Sequence, residues 1–311
     1  MQDFLISWFS DIPVLAVPYA LAALGLIVSE RAGVLSLGAE GLMLIGALAG
    51  VASYLAFGGQ AIPALVVSMA AATLVSVIFA FLVIVLRVNQ VIAGLALVFF
   101  CQGLTNLLGT VEGWTNRAVA GLDVLRPYPL SEIPGFGRVL FSHDAVVFLT
   151  VPLFLLLTYA LQRTNLGLRL RAVGENPEAA DAAGISVGRY RFGAILAGSA
   201  LVGLAGAYIS LGSAKIFTSV VTGGRGWIAV ALVIFAGWRP WRALLGALLF
   251  GGIEALIPHI AAAGIRLPQY FILMTPYVAT LAVMVWQGAR TNIGSEAPAA
   301  LGQPYVREER R

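Results

Sequence analysis

A chain of 311 residues in which 59% of side chains are hydrophobic and 11% charged, with mean hydropathy +0.91, is not an ordinary soluble domain. Long apolar runs separated by polar breaks define an all-α, polytopic transmembrane protein. The net charge of +4 is modest, and Lys215 is the one lysine among 19 basic residues, so no basic run interleaved with aromatics argues for nucleic acid.

The N-terminus lacks the basic region and cleavage site of a secretory signal, so none is expected. Phe4, Leu5, Trp8 and Phe9 suit a membrane interface. Spans are predicted at Ile12–Ser29, Gly33–Phe57, Ile62–Leu86 and Gln90–Val111. A polar loop, Glu112 to His143, follows. Further spans are expected at Asp144–Leu161, Phe192–Leu211, Trp241–Ala262 and Tyr270–Trp286. Trp227–Gly237 is apolar but too short for an ordinary span of about 20 residues; it begins earlier or is a partial or steeply buried helix. About nine crossings result. Residues 1–288 form one membrane domain, and 289–311 form a polar, partly disordered tail. Cys101 lies in an apolar run, with no disulfide or cysteine metal cluster around it.

Arg163 to Arg191 is the longest strongly charged interruption between two apolar runs. If it is cytoplasmic, that side holds 13 basic residues and the other side 6, namely Arg117, Arg126, Arg138, Lys215, Arg225 and Arg266. The positive-inside rule then puts the N-terminus outside and the C-terminus inside. Within the stretch lies a short helix with clear start and stop signals. Asn176 can cap it, Pro177 suits its first position, and Glu178 and Asp181 oppose the positive helix end. Gly184 can take the left-handed conformation that ends it. So short a helix is unstable alone in water, and its small residues, Ala179 and Ala180 among them, would let it enter a partner's groove. The alternative is an ordinary capped loop.

Small residues recur at helix-packing spacing. Gly46 and Gly50, then Ser68, Ala72, Ser76 and Ala80, then Ser199, Gly203 and Ala207 line faces where backbones can approach closely. These stripes are structural.

Few residues carry chemistry. Gly33, Gly38 and Gly41 interrupt the second span and place Glu40 among apolar residues. Nine helical residues beyond Arg31 would carry Glu40 about 13 Å inward, near the midplane. Ser36, Gly38 and Glu40 are therefore candidates for the translocation path; the competing reading is a buried carboxylate bonded to neighbouring backbone N–H groups. Glu254 is a second candidate interior carboxylate. His259 lies five residues on, the wrong spacing for a metal pair or proton relay. Gln102, Thr105 and Asn106 give the fourth span a polar face for a solute or another helix. Thr222–Trp227 is a flexible Gly-rich turn without the strand–helix context of a phosphate loop. No Gly-Lys pair, HExxH or GxSxG is present, so nothing points to catalysis.

Three separated motifs, ERAGVLSLGAEGLMLIGA, LRAVGENPEAADAAGI and GRGWIAVALVIFAGWRP, resemble the permease subunits of bacterial ABC importers. The likeness is to the ribose and branched-chain amino-acid permease family, with the nucleoside/simple-sugar branch fitting best. It covers about Ile12 to Gly288. It implies that Glu175–Gly184 (Glu175, Asn176, Pro177, Glu178, Ala179, Ala180, Asp181 and Gly184) is the coupling helix that docks on a cytoplasmic ATPase. Glu178-Ala179-Ala180 and Gly184 fit the importer signature, but its downstream proline is missing from Ala194–Ala197, which favours the vitamin-B12-type fold over the maltose-type one. The resemblance further implies a second, homologous permease subunit, an extracytoplasmic binding protein and a bacterial inner membrane. ATP and Mg belong to the partner ATPase, and this chain binds no cofactor. A branched-chain amino-acid permease, or a proton-coupled secondary transporter using Glu40 or Glu254, are the alternatives.

Overall fold

The computed structural model describes residues 2–128, 131, 133, 136–262, 274, 278, 281, 282, 285 and 297–306. Eleven helices are seen among them: α1 (Gln2–Arg31), α2 (Ala39–Ala56), α3 (Ala61–Ala80), α4 (Gln90–Val111), α5 (Phe136–Phe141), α6 (Ala145–Arg163), α7 (Asn165–Glu175), α8 (Pro177–Ala182), α9 (Val187–Tyr208), α10 (Arg225–Ala236) and α11 (Pro240–Ala262). Short π-helical turns, Phe81–Val85 and Ile209–Ser213, extend α3 and α9.

Seven of the described helical segments are long and apolar enough to cross a membrane: Phe4–Arg31, Ala39–Ala56, Ala61–Val85, Gln90–Val111, Ala145–Arg163, Val187–Ser213 and Pro240–Ile260. Most of the Tyr270–Trp286 span lies outside the described residues. Phe4, Leu5, Trp8 and Phe9 belong to α1, which runs unbroken through them. Neighbours on α11 hold this end: the Trp8 indole N–H donates to the Gly252 carbonyl (2.9 Å), and Ser7 Oγ lies 3.0 Å from His259 Nε2. At the other end of α1, Arg31 donates to the Trp238 carbonyl, just before α11 begins. Helices α1 and α11 are thus antiparallel neighbours.

The loop after α4 is not wholly irregular. Val124–Leu125 and His143–Asp144 pair as a two-residue antiparallel ladder (β1 and β2). Asp144 then caps α6 through the Val146 and Val147 N–H groups and accepts the Tyr208 hydroxyl at 2.7 Å, which ties α6 to α9.

At the bundle centre α9 crosses α2 and α3 with almost no side chain between the backbones. A methyl group added at Gly46 would strike the Gly203 carbonyl, one at Gly206 the Met43 carbonyl, and one at Gly203 the Ala72 side chain. Ser68, Ala72, Ser76 and Ala80 of α3 are fully buried on the same seam, as their spacing predicts. In lipid, where no hydrophobic drive brings helices together, this close approach is what makes dispersion contacts and short polar bonds sufficient. The Ser210 hydroxyl adds one such bond, to the Ala47 carbonyl at 2.9 Å.

The described part of the tail is ordered. Ala300 N–H donates to the Gly174 carbonyl (3.0 Å) and Gly302 N–H to the Gly33 carbonyl (3.2 Å), so residues 297–306 lie on the face where α1 ends. Helix α11 ends beside Ser7, on the opposite face.

Replacing Gly206 by alanine should drive a methyl group into the Met43 carbonyl and lower stability by about 1–3 kcal/mol. Gly103→Ala in α4, where nothing lies within 4 Å, should not. Thermal unfolding of the two variants in detergent, followed by size-exclusion profile, checks this.

Candidate functional site

Two discontinuities in the helices define the interior of the bundle. The first is residues 32–38. They are not helical, so the helical count from Arg31 to Glu40 does not hold; α2 begins only at Ala39. Depth can be read from α4 instead. Leu35 N–H donates to the Gln90 side chain (2.7 Å) at the start of α4, while a methyl group on Gly41 would lie 2.8 Å from the Val98 Cα. Eight helical residues separate those levels, so the chain descends about 12 Å into the bundle between Leu35 and Gly41 in the first turn of α2. Irregular backbone at that depth is stable only where protein satisfies it.

The second discontinuity enters from the other face. After α9 the chain touches the loop beyond α4, where Asn116 N–H donates to the Phe217 carbonyl (2.8 Å) and Val119 N–H to that of Lys215 (3.0 Å). It then turns inward through Thr218–Gly224 to α10. With 12 residues, α10 is about 18 Å long, a little over half of a hydrocarbon core. The short apolar segment is therefore a partial helix, preceded by a turn of which only Thr222 is fully buried.

Glu40 joins the two breaks. It is 8% exposed. The Thr222 hydroxyl (2.6 Å) and the Gly224 N–H (3.0 Å) donate to its Oε1, and the Gly226 N–H (2.7 Å) donates to Oε2. The carboxylate occupies the N-terminus of α10 and lies in the first turn of α2, so two positive helix ends face it. Glycine is needed at 226, since a methyl group there would sit 2.5 Å from the Glu40 backbone. The Gly-rich turn Thr222–Trp227 is thus an anion site filled from within the chain.

Arg225, in the same turn, extends the network. Its Nη1 donates to the Val221 and Thr222 carbonyls (3.0 and 3.2 Å), and its Nη2 forms an ion pair with Glu254 Oε1 on α11. The Tyr19 hydroxyl of α1 donates to Glu254 Oε2 at 2.8 Å. Arg225, counted with the smaller basic set, is not in a loop: it opens α10 and its side chain is half-buried. Glu254 is half-buried on α11 and engaged by both Arg225 and Tyr19. The structure brings Glu40 and Glu254 into one network through Arg225, although they come from helices far apart in sequence.

The other path candidates go elsewhere. Ser36 is buried in the 32–38 segment, and Gly38 packs against Leu97. Gln102 and Asn106 are exposed on the outward side of α4, with Phe99, while Gly94, Leu97, Val98 and Cys101 face α2. Thr105, counted on that polar face, is buried and bonds back to the Cys101 carbonyl. Among the described residues no group of three His, Cys, Asp or Glu could hold a metal ion.

The second candidate site is the charged stretch after α6. The local signals form as read: the Asn176 side chain accepts the Ala179 N–H (2.9 Å), Pro177 opens α8, and Gly184 has φ +80°. Ala180, however, is 4% exposed and packs on Val173, Val187 and Tyr305, so this chain covers it and no partner reaches it. Glu178, Ala179, Ala182, Ala183 and Gly184 form the exposed face, with Glu175 and Asn176 beside it and Asp181 half-buried. The tail braces α8 from below. Ala299 N–H donates to Glu175 (3.3 Å), and the buried Arg191 donates to the Gln303 carbonyl (2.9 Å). Arg191 and residues 297–306 have no sequence signal for this role beyond their apolar members, Ala300, Leu301 and Tyr305.

Seven apolar helical segments packed around two irregular segments make this a polytopic membrane protein. The chain belongs to the family described as branched-chain amino acid transport system / permease component, which matches residues 9–286. It is 34% identical to the guanosine ABC transporter permease protein NupQ of Bacillus subtilis, over 96% of this chain and 95% of that one. It is 31% identical to the nucleoside ABC transporter permease protein NupC of Lactococcus lactis, over 94% of each. A Haloferax volcanii chain that carries the provisional name glucose ABC transporter permease protein TsgC13 is 38% identical, over 93% of this chain and 94% of its own.

In Glu40→Gln an amide NH2 must face at least one of the three donors now bound. Leaving that donor unsatisfied should cost about 1–3 kcal/mol. A lower unfolding midpoint in detergent is expected, and a variant as stable as the parent would remove Glu40 as an anchor.

Proposed function

We propose that this chain is the membrane-spanning subunit of an ATP-driven importer for a nucleoside or simple sugar, with α8 as its coupling helix. The observation that carries this is similarity along nearly the whole chain to permeases named for guanosine, nucleosides and glucose. The family description itself mentions branched-chain amino acids, so that substrate class is the second reading. A proton-coupled transporter has less support, because Glu40 and Glu254 are both engaged in bonds that hold helices together.

The chain has no phosphate-gripping loop, so ATP and Mg belong to a separate ATPase. That partner takes the face made by Glu178, Ala179, Ala182 and Ala183, whose small side chains suit close entry into a groove. The helices follow the vitamin-B12-type arrangement, with the N-terminus outside and the C-terminal tail beside the coupling helix on the cytoplasmic side. An extracytoplasmic binding protein delivers substrate to the opposite face. The path runs along the outward side of α4, where Gln102 and Asn106 offer amides at the seam with a second, homologous permease. In water-poor surroundings, exposed amides need polar company, and a hydroxyl-rich solute supplies it in passing.

Ala183→Arg should leave the protein folded but abolish ATPase co-purification and ATP-dependent uptake, whereas Ala180→Arg should destabilise the chain itself. In proteoliposomes containing the assembled transporter, ATP inside should drive uptake of labelled nucleoside or glucose with the proton gradient collapsed. Uptake of leucine alone would favour the second reading, and uptake that needs the gradient but not ATP would overturn the proposal.

A further inference from the structure

Between helix α8 and the tail lies an open cleft of about 720 Å³. Glu175, Asn176 and Glu178 line it from the junction of α7 and α8, and Gln303 and Pro304 line it from the tail. Arg87, in the loop between α3 and α4, lines it too. Glu178 also belongs to the exposed face of α8, so cleft and helix face are one continuous surface.

The tail wall is fastened from behind. The Gly302 N–H donates to the Gly33 carbonyl (3.2 Å), the Ala300 N–H to the Gly174 carbonyl (3.0 Å), and Arg191 to the Gln303 carbonyl (2.9 Å). On the other side the Gln303 and Pro304 side chains are exposed. A segment so held presents its outer side chains in fixed positions. Its bonds also reach the end of α1 and the first turns of α9, so a partner gripping the tail grips the bundle there as well as at α8.

Size and charge identify the partner. Helix α8 has six residues and is about 9 Å long; half the side of a cylinder of that length and about 11 Å across is on the order of 150 Å². A stable protein partner covers roughly 800 Å² on each side. Most of an ATPase's footprint must therefore fall beside α8, and the cleft and tail adjoin its exposed face. Two carboxylates, Glu175 and Glu178, against the one guanidinium of Arg87 disfavour a phosphate or a lipid headgroup in the cleft. They suit the basic and amide side chains of a protein.

We propose that the tail is part of the ATPase-docking surface: a segment of the ATPase enters the cleft beside α8 and contacts Gln303, Pro304 and Arg87. This rests on the reading of α8 as the coupling helix and extends it to residues far along the chain.

The test uses the full-length protein with the second permease subunit in lipid nanodiscs, and the separately purified ATPase that drives ATP-dependent uptake with them. Pro304→Trp fills the cleft from an exposed position, so it should leave the unfolding midpoint unchanged and weaken ATPase binding at least about tenfold. Should its midpoint fall, Arg87→Glu, also at an exposed position, is read in the same way. A benzophenone attached to Pro304→Cys should crosslink to the ATPase, while one on Glu112→Cys, in the loop on the opposite face, should not; the native Cys101 is buried and does not label. Both results are required. Parent-like binding by the cleft variant, or no ATPase adduct from Pro304→Cys, overturns the proposal. A photoproduct confined to this chain would place residues 307–311 in the cleft and overturns it too. Ala183→Arg keeps the two readings apart. If that variant alone loses binding, α8 remains the coupling helix without the tail; if it binds normally as well, the reading of α8 fails and the proposal fails with it.

Discussion

The carboxylate of Glu40 is the constraint on which the interior depends. Two segments leave helical conformation inside the bundle, and each exposes backbone N–H groups that lipid cannot satisfy. Residues 32–35 are satisfied by the Ser29 and Glu30 carbonyls and the Gln90 side chain, and the turn before α10 is satisfied by Glu40. Glu40 sits in the first turn of α2 and accepts from Gly224, Gly226 and Thr222 at the entry to α10. An acidic group between two helix N-termini gains from both dipoles, so the usual penalty for burying it is offset where it stands. The Arg225–Glu254 pair and the Tyr19 hydroxyl then fasten the same turn to α11 and α1. A half-length helix can thus persist in the middle of the protein, with its position set from three sides.

Around that junction the bundle is held by absence of side chains. Gly46, Gly203 and Gly206 let α2, α3 and α9 approach until backbone meets backbone. Close-packed contacts of this kind have discrete arrangements rather than a continuous range, which is the property a transport subunit needs if closure at one face is to be felt at the other. Helix α9 is the element in common: it crosses α2 and α3 at the bundle centre and, through Arg191 and Val187, contacts the tail and α8.

Helix α8 illustrates how an unstable element is made dependable. Six residues cannot hold a helix in water. Asn176 and Gly184 settle its ends, but its seat is made by Val173, Val187 and Tyr305, which close over Ala180. The tail contributes directly through Ala299, Ala300 and Gln303. The expectation of a partly disordered tail does not apply to residues 297–306, because their apolar members found a surface that no reading of a polar segment by itself reveals.

Local chemistry was legible in the sequence. Hydropathy located the long spans because lipid demands about 20 apolar residues from each, and the small-residue stripes announced close crossings because only such residues permit them. The cap, proline and glycine stop of α8 were readable because each acts within four residues. Which side of α8 stays free was not, since Ala179 and Ala180 are the same residue and only packing distinguishes them. Nor could spacing reveal that Glu40 lies beside Gly226, or that Arg225 turns inward to Glu254 rather than outward to water. Residues nearly two hundred positions apart meet only once the helices are packed, and a charge's partner, unlike its hydropathy, is a property of that packing alone.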